Sequence, residues 1–186
     1  MRLSLGSFSR VTGMWYLCGL GSNIAPEQNL PRAVARLASR FGAVALSPVI
    51  RTLPQGMASD HPFLNALAVF ESDLARAEVK TLLNALETEL GRDRADPLSS
   101  IRDRPIDVDI LQIHSVPVFD GENVTEDYFR QLLRGDPVAG VALLLDGQPL
   151  GQAPATVHWN QGTGHEVIVQ QGKNLLDHTV KSPLPG

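Results

Sequence analysis

The residues best placed to do chemistry are Asp107 and Asp109, in the run Ile106-Asp107-Val108-Asp109-Ile110. On a strand, positions two apart project from one face, so the carboxylates stand together roughly 7 Å apart while the aliphatic residues turn the other way. Two neighbouring anions repel unless a cation lies between them. Magnesium suits such a pair, because it is a hard cation that takes one or two carboxylates together with phosphate oxygens. A solvated strand face carrying two acids fits the same spacing, and the pair alone leaves both readings open.

Just upstream, Arg92, Arg94, Arg102 and Arg104 crowd into a single polar stretch. Guanidinium groups grip phosphate through paired hydrogen bonds and neutralise charge in phosphoryl transfer. The competing reading is a surface loop whose Asp93, Asp96 and Asp103 pair with the arginines, each pair contributing little. Standing directly before the acids, the arginines tip the balance toward phosphate binding. Phe63 and Asn65 alternate along another strand-like run, which puts a ring and an amide on one face. That combination suits a flat heterocycle, although a core aromatic beside a strand-end amide is the plainer reading. Gly21-Ser22-Asn23 closes an apolar run and suits close backbone approach to a ligand, a weak signal by itself.

Other chemistries lack their residues. No Gly-rich phosphate motif of the common nucleotide-binding folds is present. His61, His114, His158, His165 and His178 are scattered without zinc spacing. Cys18 sits inside an apolar run, a poor setting for a nucleophile.

The elements that must position these residues are legible from periodicity. Trp15–Leu20 predicts a strand, and Pro26 opens a helix with Leu30, Val34, Leu37 and Phe41 at helical spacing until Gly42. Ala43–Arg51 is β-permissive but interrupted by Pro48, and residues 52–62 form a loop rich in Pro and Gly. Phe63–Glu71 predicts a strand. Asp73 is a candidate N-cap for a helix carrying Val79, Leu82, Leu83, Leu86 and Leu90, which Gly91 ends. After the arginine loop, Pro105–Ile113 alternates as a strand. Glu126–Leu133 suits a helix and Val138–Leu145 a strand. The core order βαββαβ is that of an α+β ferredoxin-like sandwich, two helices covering one face of an antiparallel sheet.

The chain therefore divides into a leader at 1–13, expected to be disordered, a domain at 14–146 and a C-terminal extension at 147–186. The extension is rich in Gly, Gln and Pro and reads as irregular, with one strand-like run at Glu166–Gln170. The leader lacks the apolar stretch of a secretory signal. Hydrophobic residues make up 43% and charged residues 19% of 186, enough for a packed core. A net charge of −4 gives no reason to expect nucleic acid or an anionic membrane as partner. No run is long enough to span a bilayer. One cysteine implies no internal disulfide and a reducing, cytoplasmic setting. Composition leaves the oligomeric state open.

Five linked motifs resemble the 6-hydroxymethyl-7,8-dihydropterin pyrophosphokinases. They are Leu20-Gly21-Ser22-Asn23, Arg51-Thr52-Leu53-Pro54-Gln55-Gly56, Phe63-Leu64-Asn65-Ala66, Glu87-Thr88-Glu89-Leu90-Gly91-Arg92-Asp93-Arg94, and Arg104-Pro105-Ile106-Asp107-Val108-Asp109-Ile110. Their order and spacing hold over about residues 15–113. The resemblance implies transfer of pyrophosphate from ATP to the pterin hydroxymethyl group, with Asp107 and Asp109 holding two magnesium ions. Arg92 and Arg104 would then neutralise phosphate charge. Arg94, Arg102 and Glu87 would join Arg92 around the nucleotide. Phe63, Asn65, Thr52 and Gly21 would form the pterin pocket.

The chain also departs from that pattern. Ser100-Ile101-Arg102-Asp103-Arg104 stands where the family has Arg-Trp-Gly-Pro-Arg, in a loop about two residues longer. No Pro-His or Arg-x-Phe is recognisable after Asp109, and the last forty residues match nothing. A second reading is therefore a catalytically weak paralogue that binds a pterin-like ligand or serves as an interaction protein. A third is a related magnesium-dependent transferase acting on another heterocycle.

Overall fold

The computed structural model describes residues 13–57, 59–160 and 166–176, so the expected leader lies, up to residue 12, outside the described residues. The first strand, β1, runs Met14–Ser22 and feeds a 16-residue helix, α1, at Pro26–Phe41. Pro26 stands at the start of α1, where a missing N–H costs nothing. Leu30, Val34 and Leu37 are buried along one stripe. Gly42, at φ 88°, ends the helix in a conformation open to glycine.

Pro48 splits the next segment into β2 (Ala43–Leu46) and β3 (Ile50–Thr52). Both pair antiparallel with β4 (Phe63–Ser72). The second helix, α2, runs Arg76–Glu89. Its N-cap is Ala75 rather than the expected Asp73, because β4 continues to Ser72 and the Ser72 hydroxyl accepts the Leu74 N–H, placing Asp73 in the turn. Glu78 reaches back to the Ala75 N–H at 3.1 Å, which satisfies one orphan donor of the first turn.

The arginine-rich loop leads to β5 (Asp107–His114), and α3 follows at Asp127–Arg134. The strand order β5-β1-β4-β2 is entirely antiparallel, with both helices entering the same core, as a ferredoxin-like sandwich requires. On the helix side Tyr16, Cys18, Leu20, Leu64, Ala66, Ala68, Phe70, Ile106 and Val108 form the main core. On the opposite face Leu17, Leu67 and Val69 pack against Phe129 and Leu132 of α3.

Two expectations are corrected. Only Leu143–Leu145 of the run Val138–Leu145 is a strand, β6, and it pairs with β7 (Gln148–Leu150) in a separate hairpin. Residues 138–142 instead cross the β2–β3 junction, where the Val141 N–H donates to Val49 O and the Val49 N–H to Gly151 O. Gly140 lies so close to the backbone of Gln152 that a Cβ would stand 2.7 Å away. The extension is also more regular than its composition suggests. Strands β8 (Ala155–Trp159) and β9 (Val167–Gln171) continue the main sheet beyond β2. The run expected at 166–170 is β9.

Candidate active site

The face of the sheet turned away from α1 and α2 is only partly covered by α3, and the site lies in the gap. Strand register brings its floor together. Gly21 of β1 lies opposite Asn65 of β4 on one side and Asp107 of β5 on the other. Two residues back, Gly19 lies opposite Asp109. Side chains of one cross-strand row share a face, so glycines at these positions let Phe129 and Asn65 settle onto the strand beside both acids. A Cβ at Gly19 would stand 2.6 Å from the Phe129 ring, and one at Gly21 would stand 2.9 Å from Asn65 Oδ1.

Around that floor is a cleft of about 220 Å³. Gly21, Thr52, Phe63, Asn65, Arg104, Asp107 and Asp109 line it, together with Gln55, Gly56, Met57 and Ser100 from the two flanking loops and Glu126, Tyr128 and Phe129 from the α3 region. Asn65 donates from Nδ2 to the Thr52 hydroxyl. The Arg104 guanidinium sits 5.9 Å from the centre of the Phe63 ring.

Asp107 is gripped from both sides. Arg92 Nη1 donates to its Oδ1 at 2.7 Å and Arg104 Nη1 to its Oδ2 at 3.1 Å. Burial opposes its ionisation, but the Arg92 hydrogen bond and the charges of Arg92 and Arg104 outweigh that and hold the carboxyl below the usual carboxylate range. Among the described residues no arginine pairs with Asp109, which hydrogen-bonds to Asp107. Partial burial and the neighbouring Asp107 charge push it up to about 6. The two carboxyls titrate as a pair, and Asp107 ionises first because the guanidiniums stabilise the anion there. The phenol of Tyr128 is pushed up to about 12 by burial and by the Glu126, Asp107 and Asp109 charges, so it stays neutral.

The remaining predicted residues lie elsewhere. Glu87 is wholly buried behind β5, where it accepts the Val108 N–H at 2.8 Å, receives Arg94 Nε at 2.9 Å and stands 3.4 Å from Arg92. Arg94 is thereby turned from the cleft toward Glu87. Arg102 pairs with Asp96 at 2.9 Å on the surface. Asn23, read only as part of a turn, staples the end of β1 to the arginine loop. Its Nδ2 donates to Asp103 at 2.8 Å, its N–H to Arg104 O at 3.1 Å, and its Oδ1 accepts the Arg104 N–H at 2.7 Å. Sequence reasoning missed Gly19, Glu126, Tyr128 and Phe129. The Gly-x-Gly spacing of Gly19 and Gly21 on a strand was the available signal, whereas nothing in α3 tells which of its faces meets β1.

A ferredoxin-like sandwich whose open face carries a converging acid pair, flanking arginines and a ring-and-amide pocket has the make-up of a phosphate-transferring enzyme. The sequence profile of the 7,8-dihydro-6-hydroxymethylpterin-pyrophosphokinase family matches residues 17–133, which include every residue lining the cleft. The chain belongs to that family. It is also similar to the 2-amino-4-hydroxy-6-hydroxymethyldihydropteridine pyrophosphokinases of two Porphyromonas gingivalis strains, at 40% identity over 99 residues that cover 52% of this chain and 67% of each relative.

Proposed function

We propose that this protein transfers a pyrophosphoryl group from ATP to the hydroxymethyl oxygen of 6-hydroxymethyl-7,8-dihydropterin, a step of folate synthesis, with two magnesium ions held by Asp107 and Asp109. The observation that carries this reading is the convergence of the two carboxyls in the cleft that also holds Phe63, Asn65 and Thr52. Two acids that repel one another once both are ionised mark a position where a divalent cation relieves like-charge repulsion. When bound, magnesium supplies charge neutralisation and a fixed orientation for the phosphate chain.

The protein's own residues account for the rest. Arg104 bridges the two halves of the cleft, fixing Asp107 while its guanidinium lies over Phe63. Phe63 offers a face for the pterin ring to stack on. Because Asn65 spends its amide N–H on Thr52, its Oδ1 is left as an acceptor for pterin N–H groups. Such a transfer rests on in-line positioning and charge neutralisation rather than on a protein nucleophile.

One feature favours the second reading, a weak paralogue that binds a pterin-like ligand. The α3 region adds Glu126 and Tyr128 to the cleft but no cation: Arg130 reaches back to Asp127 and Val124 O, and Arg134 to Asp136. A coupled assay for AMP release with the authentic pterin, ATP and magnesium separates the two. Pterin-dependent AMP release supports the pyrophosphokinase; pterin binding without it supports the paralogue.

A further inference from the structure

The cleft is walled by two loops, residues 53–62 and 92–104, and one carboxylate joins them. Asp103 belongs to the second loop. It takes hydrogen bonds from the Ser59 hydroxyl and the His61 ring of the first, and from Asn23 Nδ2 at 2.8 Å. Asn23 Nδ2 also lies 3.4 Å from His61 O. The His61 N–H donates to Ser59 Oγ at 3.0 Å, so Ser59 and His61 form one turn aimed at Asp103. The Ser59 hydrogen bond, joined by those from His61 and Asn23, holds the Asp103 carboxyl below its usual range against the opposing effect of burial.

The next residue in the chain is Arg104. Its backbone N–H and carbonyl are held by Asn23, and its side chain grips Asp107. Arg104 also reaches Met57 Sδ of the first loop at 3.8 Å. Met57, Gln55 and Gly56 line the cleft from one side and Ser100 and Arg104 from the other. The knot at Asp103 therefore lies outside the cleft but sets the spacing of both walls.

We propose that Asp103 and His61 are positioning residues, a latch that holds the 53–62 loop at its working distance from Arg104 so that the heterocycle pocket is preformed. The functional half of this inference rests on the pyrophosphokinase reading; the mechanical half does not. Losing the latch lets the loops separate, which weakens capture of the heterocycle more than it slows the transfer step at Asp107 and Asp109.

The test compares Asp103→Ala, His61→Ala, the double variant and Asp103→Asn in the full chain. Hydrogen exchange of the 53–62 loop, read without any ligand, reports the latch itself. We expect faster exchange there in both alanine variants, with the double variant no faster than Asp103→Ala alone. In AMP-release kinetics, KM for the pterin rises about five- to tenfold, the scale of one ordinary hydrogen bond, while kcat stays within about twofold. Asp103→Asn keeps an acceptor for Asn23 and Ser59 and recovers part of the loss. Unchanged exchange in the single variants, or effects that multiply in the double variant, overturns the latch. Altered exchange with kcat lowered and KM for the pterin unchanged assigns the knot to stability alone. A wild type that exchanges as expected but releases no AMP overturns the reaction and leaves the latch standing.

Discussion

Glu87, wholly buried at the end of α2, accepts the backbone N–H of Val108, the residue between the two cleft acids, at 2.8 Å. This bond fixes β5 where the strand presents Asp107 and Asp109 to the opposite face. The same carboxylate receives Arg94 and lies near Arg92, which in turn holds Asp107, so one buried charge network runs through the sheet edge to the site.

Glu87→Ala should therefore act first on stability. Removing one partner of a buried ion pair leaves a desolvated charge, a loss of about 3 kcal/mol. Urea unfolding of the variant checks this; a loss below about 1 kcal/mol places Glu87 in a more solvated setting. Arg94→Ala should cost less, because Arg94 is 40% exposed and Glu87 keeps Val108 and Arg92.

Gly19→Ala drives a methyl into the Phe129 ring at 2.6 Å. Overpacking of this kind costs about 1–3 kcal/mol, and the strain falls on the contact that seats α3 beside Asp109. We expect a lowered Tm together with weaker ligand binding. The double variant Gly19→Ala, Phe129→Ala should bind no worse than Phe129→Ala alone, and thermal shift with ligand titration reads both effects.

How much of this was readable beforehand follows from the range of each interaction. The acid pair was legible because strand alternation is a property of the backbone, needing only Ile106, Val108 and Ile110 to reveal the period. The order βαββαβ was legible for the same local reasons. Glu87 is assigned to the nucleotide only through the motif it shares with the family, and only the docking of α2 on β5 buries it. Asn23 was read as turn because its partners lie some eighty residues away at Asp103 and Arg104. The run 138–145 is apolar throughout, and only its crossing over Val49 and Gly151 divides it into loop and strand. Composition suggested an irregular extension, yet the free edge of β2 supplies a partner that composition does not reveal.

Phe63→Ala should weaken pterin binding by on the order of 1 kcal/mol, the scale of a stacked aromatic pair, while binding of magnesium and ATP changes little. Separate titrations with each ligand test the division. Equal effects on both assign Phe63 to packing under Arg104 instead of to the pterin.

Asp109 fixes the pH dependence. In the fold it keeps its proton up to about pH 6, against about 4 in an unfolded chain. The folded state thus holds the extra proton between those values, and its stability falls as pH rises through about 6. Asp109→Asn removes that penalty, so without metal it should be more stable than wild type at pH 7.5 and equal to it near pH 4. Because solvent reaches this carboxyl, the gain is on the order of 1 kcal/mol, well short of the full shift. Urea midpoints at the two pH values test the sign. Metal-dependent nucleotide binding in the wild type should weaken about tenfold per pH unit below about 6, as one proton competes with the cation.

The most direct test of the central claim is calorimetric titration of ATP into wild type and Asp109→Ala, with and without magnesium, at pH 7.5. The account predicts magnesium-dependent binding in the wild type and its loss in the variant, with the metal-free variant unfolding no earlier than the wild type. Equal magnesium-dependent affinity in the two proteins would contradict it.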